Sequence, residues 1–153
     1  MKHTIFRARK VRTQLPVGVL AVAGLMAAGH GAHAADLGGT AALTSGYVWR
    51  GTTQTQGDAA GEAGFKVAGE SGMYGAVWGS NVEFAPQTRA SSELDFTVGW
   101  AGDIARDWAL DVNVLHYRYP STTVDLDWTE LNGTLTYAGD YWLSLGWSAQ
   151  ALG

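Results

Sequence analysis

Residues 93–100 (ELDFTVGW) alternate between two kinds of side chain at every step. The even-numbered positions carry Leu, Phe, Val and Trp, whereas the odd-numbered positions carry Glu, Asp, Thr and Gly. Successive side chains of an extended chain point to opposite faces, so this alternation is typical of a β-strand with one apolar and one polar face. The stretch therefore predicts a strand that separates an apolar environment from a polar one.

The same period of two recurs on both sides of this stretch, and no window fits a helical period better. The period predicts seven strands of roughly ten residues, the length that a tilted strand needs to cross a membrane. The apolar positions of these strands start at Leu37, Ala63, Tyr74, Leu94, Trp108, Leu131 and Tyr141. The first strand is predicted to extend to Trp49. The third is predicted to present Tyr74, Ala76, Trp78, Val82 and Phe84 on its apolar face.

The connections between the predicted strands alternate in length. Short turns fall at 71–72, 102–106 and 138–140, whereas longer polar loops span 51–60, 85–91 and 120–126. Short turns on one rim and longer loops on the other are typical of bacterial outer-membrane barrels, whose short turns are periplasmic. The predicted fold class is therefore all-β, an antiparallel up-and-down β-barrel of the outer-membrane type.

The first 34 residues have the order of a secretory signal peptide. A basic run is followed by an apolar stretch at 15–29 and then by Ala32-His33-Ala34, a small-x-small cleavage site. We expect Sec-type export with cleavage after Ala34, which leaves residues 35–153 as the β-barrel domain. The chain has no cysteine, which excludes disulfide scaffolds, thiol catalysis and Cys-type zinc sites.

The acidic side chains outnumber the basic ones, and the two are unevenly distributed. The chain has fourteen Asp and Glu residues, all at Asp36 or later, and ten Lys and Arg residues. Half of the basic residues lie within the first twelve positions. The remaining chain is strongly acidic and would repel a phosphate backbone, so we expect no nucleic-acid partner.

Large aromatic residues cluster near the ends of the predicted strands, on the apolar parity. Rings at both ends of a membrane strand form the interfacial girdles of a barrel in lipid. The predicted girdle residues are Trp49, Tyr74, Phe84, Trp100, Trp108, Tyr137 and Tyr141. A soluble β-sandwich would instead concentrate such rings in mid-strand, facing a core.

Charged residues fall mainly on the polar parity and are the candidates for a lumen. The predicted lumen or selectivity residues are Arg50, Lys66, Glu62, Glu83, Glu93, Asp95 and Glu130. In a water-filled lumen this acidic set would favour cations. Alternatively, the residues pair with one another and fill the interior, as in small barrels. Arg50 could line a constriction or bridge to Asp95 or Glu130, and both interpretations stay open.

Residues 47–84 resemble a proteobacterial family of TorF-type porins, also named for a Gly-Cys-Trp signature. Its members share a Tyr-x-x-Arg-Gly-x-Ser/Thr-Gln segment and a Gly-x-Tyr-x-Gly-x-Trp-x-Ser-Asn hairpin. Later segments of the chain, including Trp128-Thr129-Glu130, are also similar. The matching positions are Tyr47, Arg50, Gly51, Gln54, Tyr74, Trp78, Ser80, Asn81, Tyr117, Tyr119 and Pro120. Two features differ from the family: Val77 stands where the signature cysteine precedes tryptophan, and family members are longer. The resemblance implies an outer-membrane β-barrel that passes solutes.

Few residues suggest catalysis, and we expect no enzyme activity, no cofactor and no metal site. His116 is the single histidine after the predicted cleavage site, which argues against a histidine cluster. By parity it faces outward near the loop rim, and a Ser-His-acid lipid hydrolase around it has no support from local spacing. The expected partners are outer-membrane lipid, small solutes, and the periplasmic chaperones and barrel-assembly machinery. Homo-oligomerisation is left open.

The strand count bears on the size of the barrel. Single-chain bacterial barrels have an even number of strands, at least eight, so seven strands predict the N-terminal portion of a longer barrel. We expect a porin-like protein for passive passage of small solutes, leaning towards cations. The alternative is a structural anchor or adhesin-type barrel whose lumen is filled by side chains.

Overall fold

The computed structural model describes residues 35–150. The predicted signal peptide, 1–34, and its cleavage site after Ala34 lie outside the described residues. Within the described part of the chain, no helix is long and apolar enough to cross a membrane.

Residues 35–150 form nine strands and no helix. The strands are β1 (Asp36–Thr44), β2 (Val48–Trp49), β3 (Thr52–Thr53), β4 (Ala60–Ala68), β5 (Met73–Asn81), β6 (Ser92–Ala105), β7 (Trp108–Arg118), β8 (Trp128–Tyr137) and β9 (Tyr141–Trp147). Two of them, β2 and β3, pair only with each other in a short hairpin.

The other seven strands form one sheet in the order β1-β4-β5-β6-β7-β8-β9, and every neighbouring pair is antiparallel. Apart from the β2–β3 hairpin inserted after β1, each strand pairs with the next one along the chain. The predicted all-β, up-and-down fold with seven strands is therefore confirmed. Within residues 35–150 the sheet is open, with β1 and β9 as its two edges.

The connections alternate as predicted, although their limits differ. On one rim the turns are short: 69–72, 106–107 and 138–140. On the other rim the connections are longer: 45–59, 82–91 and 119–127. The turn predicted at 102–106 shrinks to two residues because β6 extends to Ala105, with a register irregularity between Asp103 and Ala105. Asp107 takes a left-handed backbone conformation to close this turn.

The register divides the sheet into an apolar face and a polar face, because residues paired across antiparallel strands lie on the same face. One such row joins Phe65 to Val77, Val77 to Phe96, and Phe96 to His116. The side chains of the apolar face are largely exposed, as the values of 62% for Val98 and 61% for Leu143 illustrate. Other members of this face are Leu37, Leu43, Val67, Val112, Val114, Leu131, Leu145 and Trp147.

The predicted orientation of the third strand was wrong. Tyr74, Ala76 and Trp78 pair with Ala68, Lys66 and Gly64, which places all three on the polar face. The residues that this strand presents on the apolar face are Met73, Gly75, Val77 and Gly79. Because large aromatic side chains alternate with small residues on this strand, the sequence pattern predicts that the aromatic positions lie on the apolar face. The strand also ends at Asn81, so Val82 and Phe84 belong to the following loop.

The predicted first strand is also interrupted. It ends at Thr44, and residues 45–59, here called the covering segment, fold across the polar face before the chain enters β4. Hydrogen bonds within the segment hold this fold: Gln54 N donates to Tyr47 O at 2.7 Å, and Thr55 Oγ1 donates to Asp58 O at 2.6 Å. The loop rim of the polar face is consequently covered.

The small apolar core of the described chain lies at this loop rim. It is formed by Val82, Ala90, Tyr117 and Tyr119, with Phe84 and other partly buried rings packed around them. Phe84 contacts Tyr119 at a ring-centroid distance of 5.3 Å. The covering segment and the long loops therefore pack together above the end of the sheet.

Candidate functional site

The polar face brings together most of the predicted lumen residues. Lys66, Glu62, Glu93, Asp95 and Glu130 all lie on it. Arg50 reaches this face from the covering segment. Glu83 does not, because it follows the end of β5, is exposed, and contacts the covering segment only through its backbone: Glu83 N donates to Gln54 O at 2.7 Å. The prediction that Glu83 lines the lumen was wrong.

Arg50 occupies the tip of the β2–β3 hairpin. Arg50 and Gly51 have φ values of 46° and 84°, so both central residues of this two-residue turn are left-handed, as a type I′ turn requires. Glycine accepts that conformation without steric cost, whereas Arg50 adopts it as a non-glycine residue. The hairpin pairs Val48 with Thr53 and Trp49 with Thr52. It thereby projects the guanidinium towards the sheet.

The guanidinium of Arg50 forms a bidentate ion pair with the carboxylate of Glu130 on β8. Nη1 donates to Oε1 at 2.7 Å and Nη2 donates to Oε2 at 3.0 Å. The Glu130 side chain is 3% exposed, and the Tyr117 hydroxyl also donates to its Oε2 at 3.1 Å. A bidentate pair of this kind is stronger and more directional than a single contact. The pairing with Glu130 is one of the two arrangements that the sequence left open for Arg50.

Glu93 of β6 is the second buried carboxylate of the site. It is 2% exposed and accepts a hydrogen bond from the Tyr47 hydroxyl at 2.8 Å. Burial raises the pKa of Tyr47, and the negative charge of the nearby Glu93 raises it further. Burial also raises the pKa of Tyr119, whose hydroxyl interacts with Glu93 as well. Both tyrosines therefore stay protonated, and Tyr47 donates its hydroxyl hydrogen to the carboxylate.

Asp95 lies next to these two glutamates on the polar face, beside Trp78 and Tyr117 in the register. Its Oδ1 is buried and has no hydrogen-bond partner among the described residues. Between residues 35 and 150, Arg50 is the basic group paired with this set of carboxylates, and it binds Glu130. The site therefore contains more carboxylates than cations.

Four aromatic residues pack together at the loop rim beside the ion pair and form what we call the aromatic cluster: Trp49, Tyr117, Tyr119 and Trp128. Tyr117 and Trp128 stack with their ring centroids 4.4 Å apart, and Trp49 meets Trp128 edge-on at 5.6 Å. Arg50 lies over the Trp49 ring, with its Cζ 4.1 Å from the centroid. Such a contact attracts a cation electrostatically.

These positions correct part of the predicted aromatic girdle. Trp49 packs over the polar face, Phe84 lies in the loop-rim core, and Tyr74 is buried on the polar face. Tyr74 donates to Asp111 Oδ1 at 2.8 Å, and Lys66 Nζ lies 4.0 Å from its ring centroid. The remaining girdle residues lie on the apolar face beside the short turns: Trp100, Trp108, Tyr137 and Tyr141.

The sequence placed Asp111 among the acidic residues of the polar parity, but it did not single out Trp128 as a site residue. The signal was available, because Tyr117 shares the parity of Asp111 and Asn113, and its partner Trp128 shares the parity of Glu130. Aromatic residues on a polar parity indicate rings that pack over the polar face of the sheet. The same reasoning would have placed Trp78, which packs edge-on against Tyr47 at 5.3 Å.

Asn81, a position of the sequence motif, fixes the end of the covering segment. Asn81 accepts a hydrogen bond from Gly61 N at 2.7 Å and donates to Ala59 O at 3.1 Å. Ser80 is 7% exposed beside it, and its hydroxyl donates to Asn81 O. The two Asn81 bonds hold the point where the segment re-enters the sheet, which gives Asn81 a structural role. Pro120 lies in the loop that follows β7.

His116 lies on the apolar face, paired with Phe96 and hydrogen-bonded through Nδ1 to Thr129 Oγ1 at 3.0 Å. Among the described residues it forms no hydrogen bond or ion pair with a carboxylate. In the described part of the chain, no three His, Cys, Asp or Glu residues are arranged to hold a metal ion. The polar face therefore offers a site that combines charged and aromatic side chains.

The fold and this site define a class of protein: an antiparallel meander sheet with an exposed apolar face and a polar face that is covered at its loop rim. The chain belongs to the Gcw_chp family of bacterial proteins of unknown function, whose family model matches residues 28–149. This confirms the resemblance to the family with the Gly-Cys-Trp signature. A search of curated proteins found no match, and neither did a search of solved structures.

Proposed function

We propose that the protein is an outer-membrane β-barrel protein whose sheet forms a wall between lipid and a polar lumen. The observation that carries this proposal is the apolar face, on which side chains such as Val98, Leu143 and Leu145 are 61–69% exposed. Soluble monomers rarely expose a contiguous apolar surface of this extent, whereas a barrel in lipid requires one. The aromatic residues beside the short turns supply the interfacial anchors that a membrane strand uses.

The lumen, in this proposal, passes small solutes passively and favours cations. Support comes from the polar face, where acidic residues outnumber basic ones. These acidic residues include Glu62, Asp111 and the buried Glu93 and Glu130. The site around Arg50 forms the constriction, because the covering segment crosses the polar face there. A ring of carboxylates at a constriction lowers the energy of a cation and raises that of an anion.

A second candidate function rests on one observation, the ion pair between Arg50 and Glu130. If the covering segment and the aromatic cluster fill the lumen, the barrel is a structural anchor or an adhesin without channel activity. The bidentate geometry and the burial of Glu130 favour this alternative at the loop rim. Charge pairs of this kind fill the interiors of small barrels.

Conductance in a planar lipid bilayer distinguishes the two candidates. We expect protein isolated in its folded, heat-modifiable form to give discrete current steps, with a reversal potential that indicates cation preference. Arg50→Ala should enlarge the step size and strengthen the cation preference, because the substitution removes the positive charge from the constriction. Folded protein without current steps would contradict the channel and favour the filled lumen.

A further inference from the structure

A cavity of about 180 Å³ lies between the covering segment and the sheet, next to the ion pair. The four rings of the aromatic cluster line it, together with Thr52 and Gln54. Tyr117 and Trp128 stack, whereas Trp49 stands edge-on to Trp128, so the rings that line the cavity have different orientations. The cavity therefore has walls that present aromatic surfaces.

The carboxylate of Glu93 also lines this cavity. It is 2% exposed and is held by the Tyr47 hydroxyl, which fixes its position without neutralising its charge. Arg50 is committed to Glu130, and the described residues offer Glu93 no ion-pair partner. A buried carboxylate without a cation is costly, so a bound cation would stabilise this arrangement.

The chemistry of the walls favours an organic cation over other ligands. Ring faces attract a cation, and the cluster already engages one where Arg50 lies 4.1 Å from the Trp49 centroid. The described carboxylates do not come together as a metal-binding group, which argues against a divalent metal ion. Anions would be repelled by Glu93, which has no ion-pair partner among the described residues, whereas the charge of Glu130 is paired with that of Arg50.

We propose that this cavity binds a small organic ammonium ion, with its charge directed at Glu93 and its alkyl groups against Trp49, Tyr117, Tyr119 and Trp128. The volume accommodates an ion of the size of choline, but not a large or branched polyamine. The inference deepens the proposed function and rests on it for placing the cavity in a lumen. The binding itself depends only on the folded site.

Calorimetric titration of choline into the folded protein in detergent tests the inference. The uncharged tert-butyl isostere of choline provides the matched ligand control. We expect choline to bind and the isostere to bind at least about tenfold more weakly, since the charge supplies the attraction to both the rings and the carboxylate. Equal binding of the two would overturn the inference, because it would show an apolar cavity without charge recognition. Absence of choline binding would overturn it as well.

Two substitutions locate the binding. Glu93→Gln should weaken choline binding about tenfold or more while Tyr47 keeps an acceptor, whereas Asp103→Asn, at the exposed short-turn end of β6 outside the cavity, should leave it unchanged. Trp128→Leu should weaken binding more than Trp128→Phe, which retains an aromatic face. If Glu93→Gln fails to fold, the Trp128 pair decides the question. Unchanged affinity in both tests would contradict the site.

Conductance and binding can fail separately. Choline binding without any current step would overturn the channel but keep the cavity as a recognition site. Current steps without choline binding would keep the channel and overturn the ligand assignment.

Discussion

The two faces of the sheet differ in which side chains are exposed, and β6 shows both patterns. Val98 is 62% exposed on the apolar face, whereas Glu93, five positions earlier on the polar face, is 2% exposed. In a protein that folds in water the apolar side chain is the one that becomes buried. The inversion supports the proposal that the apolar face meets hydrocarbon, and the charges are stabilised by partners that the covering segment supplies.

The largest expected effect comes from a charge placed on the apolar face. Val98→Arg should lower the free energy of unfolding in lipid by about 2–4 kcal/mol, because an arginine near the bilayer midplane loses its hydration. Urea unfolding in vesicles and heat-modifiable migration on gels measure this loss. The matched control is Thr97→Arg, one residue away on the polar face, which should cost less than about 1 kcal/mol. Equal costs would remove the distinction between the faces.

The next effect concerns the partner that the covering segment supplies. Arg50→Ala leaves the Glu130 carboxylate buried without its cation and should lower the free energy of unfolding by about 2–3 kcal/mol. Arg106→Ala serves as the control, because the contact of Arg106 with Asp107 is solvent-exposed at 3.8 Å. It should change the denaturation midpoint negligibly. A double-mutant cycle with Glu130→Ala should show coupling between the two residues, and strict additivity would contradict the ion pair.

A smaller effect should follow from filling the space beneath Tyr74. A Cβ at Gly99 would lie 2.6 Å from the Tyr74 ring and 2.7 Å from the Asn113 Cβ, so Gly99→Ala forces the ring or the strands to shift. We expect a loss of about 1–2 kcal/mol in denaturant unfolding. Gly38→Ala lies on the same face with open space around it and should be neutral or slightly stabilising. Equal free energies of unfolding for the two variants would contradict the position of the Tyr74 ring against Gly99.

The smallest effect should come from His116, which lies on the apolar face away from the site. His116→Ala removes one hydrogen bond to Thr129 and should change the free energy of unfolding by about 1 kcal/mol or less. If the protein lacks lipid hydrolase activity, as predicted, fatty-acid release from phospholipid stays at the background of an empty membrane in both forms. Release that disappears in the variant would revive a catalytic role.

The sequence predicted the sheet well because periodicity is a local property. In β6 to β9 the alternation of residues such as Leu94 and Phe96 with Glu93 and Asp95 set the parity unambiguously, and the register follows it. On β5 the alternation was between aromatic and small side chains. Trp78 and Tyr74 then suggested the apolar face. They lie on the polar face because Gly64 and Gly99 on neighbouring strands leave space for their rings there. That information lies on other strands and is not local.

The candidate site was less predictable because it depends on a long-range fold of the chain. Arg50 was identified as an inward residue with two possible partners, but nothing in residues 45–59 specifies that the hairpin returns over β8. The contact with Glu130 spans 80 positions of sequence. The aromatic cluster was missed for the same reason, since Trp49 and Trp128 meet only after the covering segment has folded.

Single-cysteine scanning of β6 tests the central claim most directly, because the chain has no cysteine of its own. Cysteines at 96, 98 and 100 lie on the apolar face, and cysteines at 97 and 101 lie on the polar face. In vesicles, a fluorophore at the first set should be quenched by a lipid-borne quencher and be inaccessible to an aqueous one, and the second set should show the reverse. Equal aqueous access at both sets, without quenching from lipid, would contradict a membrane-facing sheet.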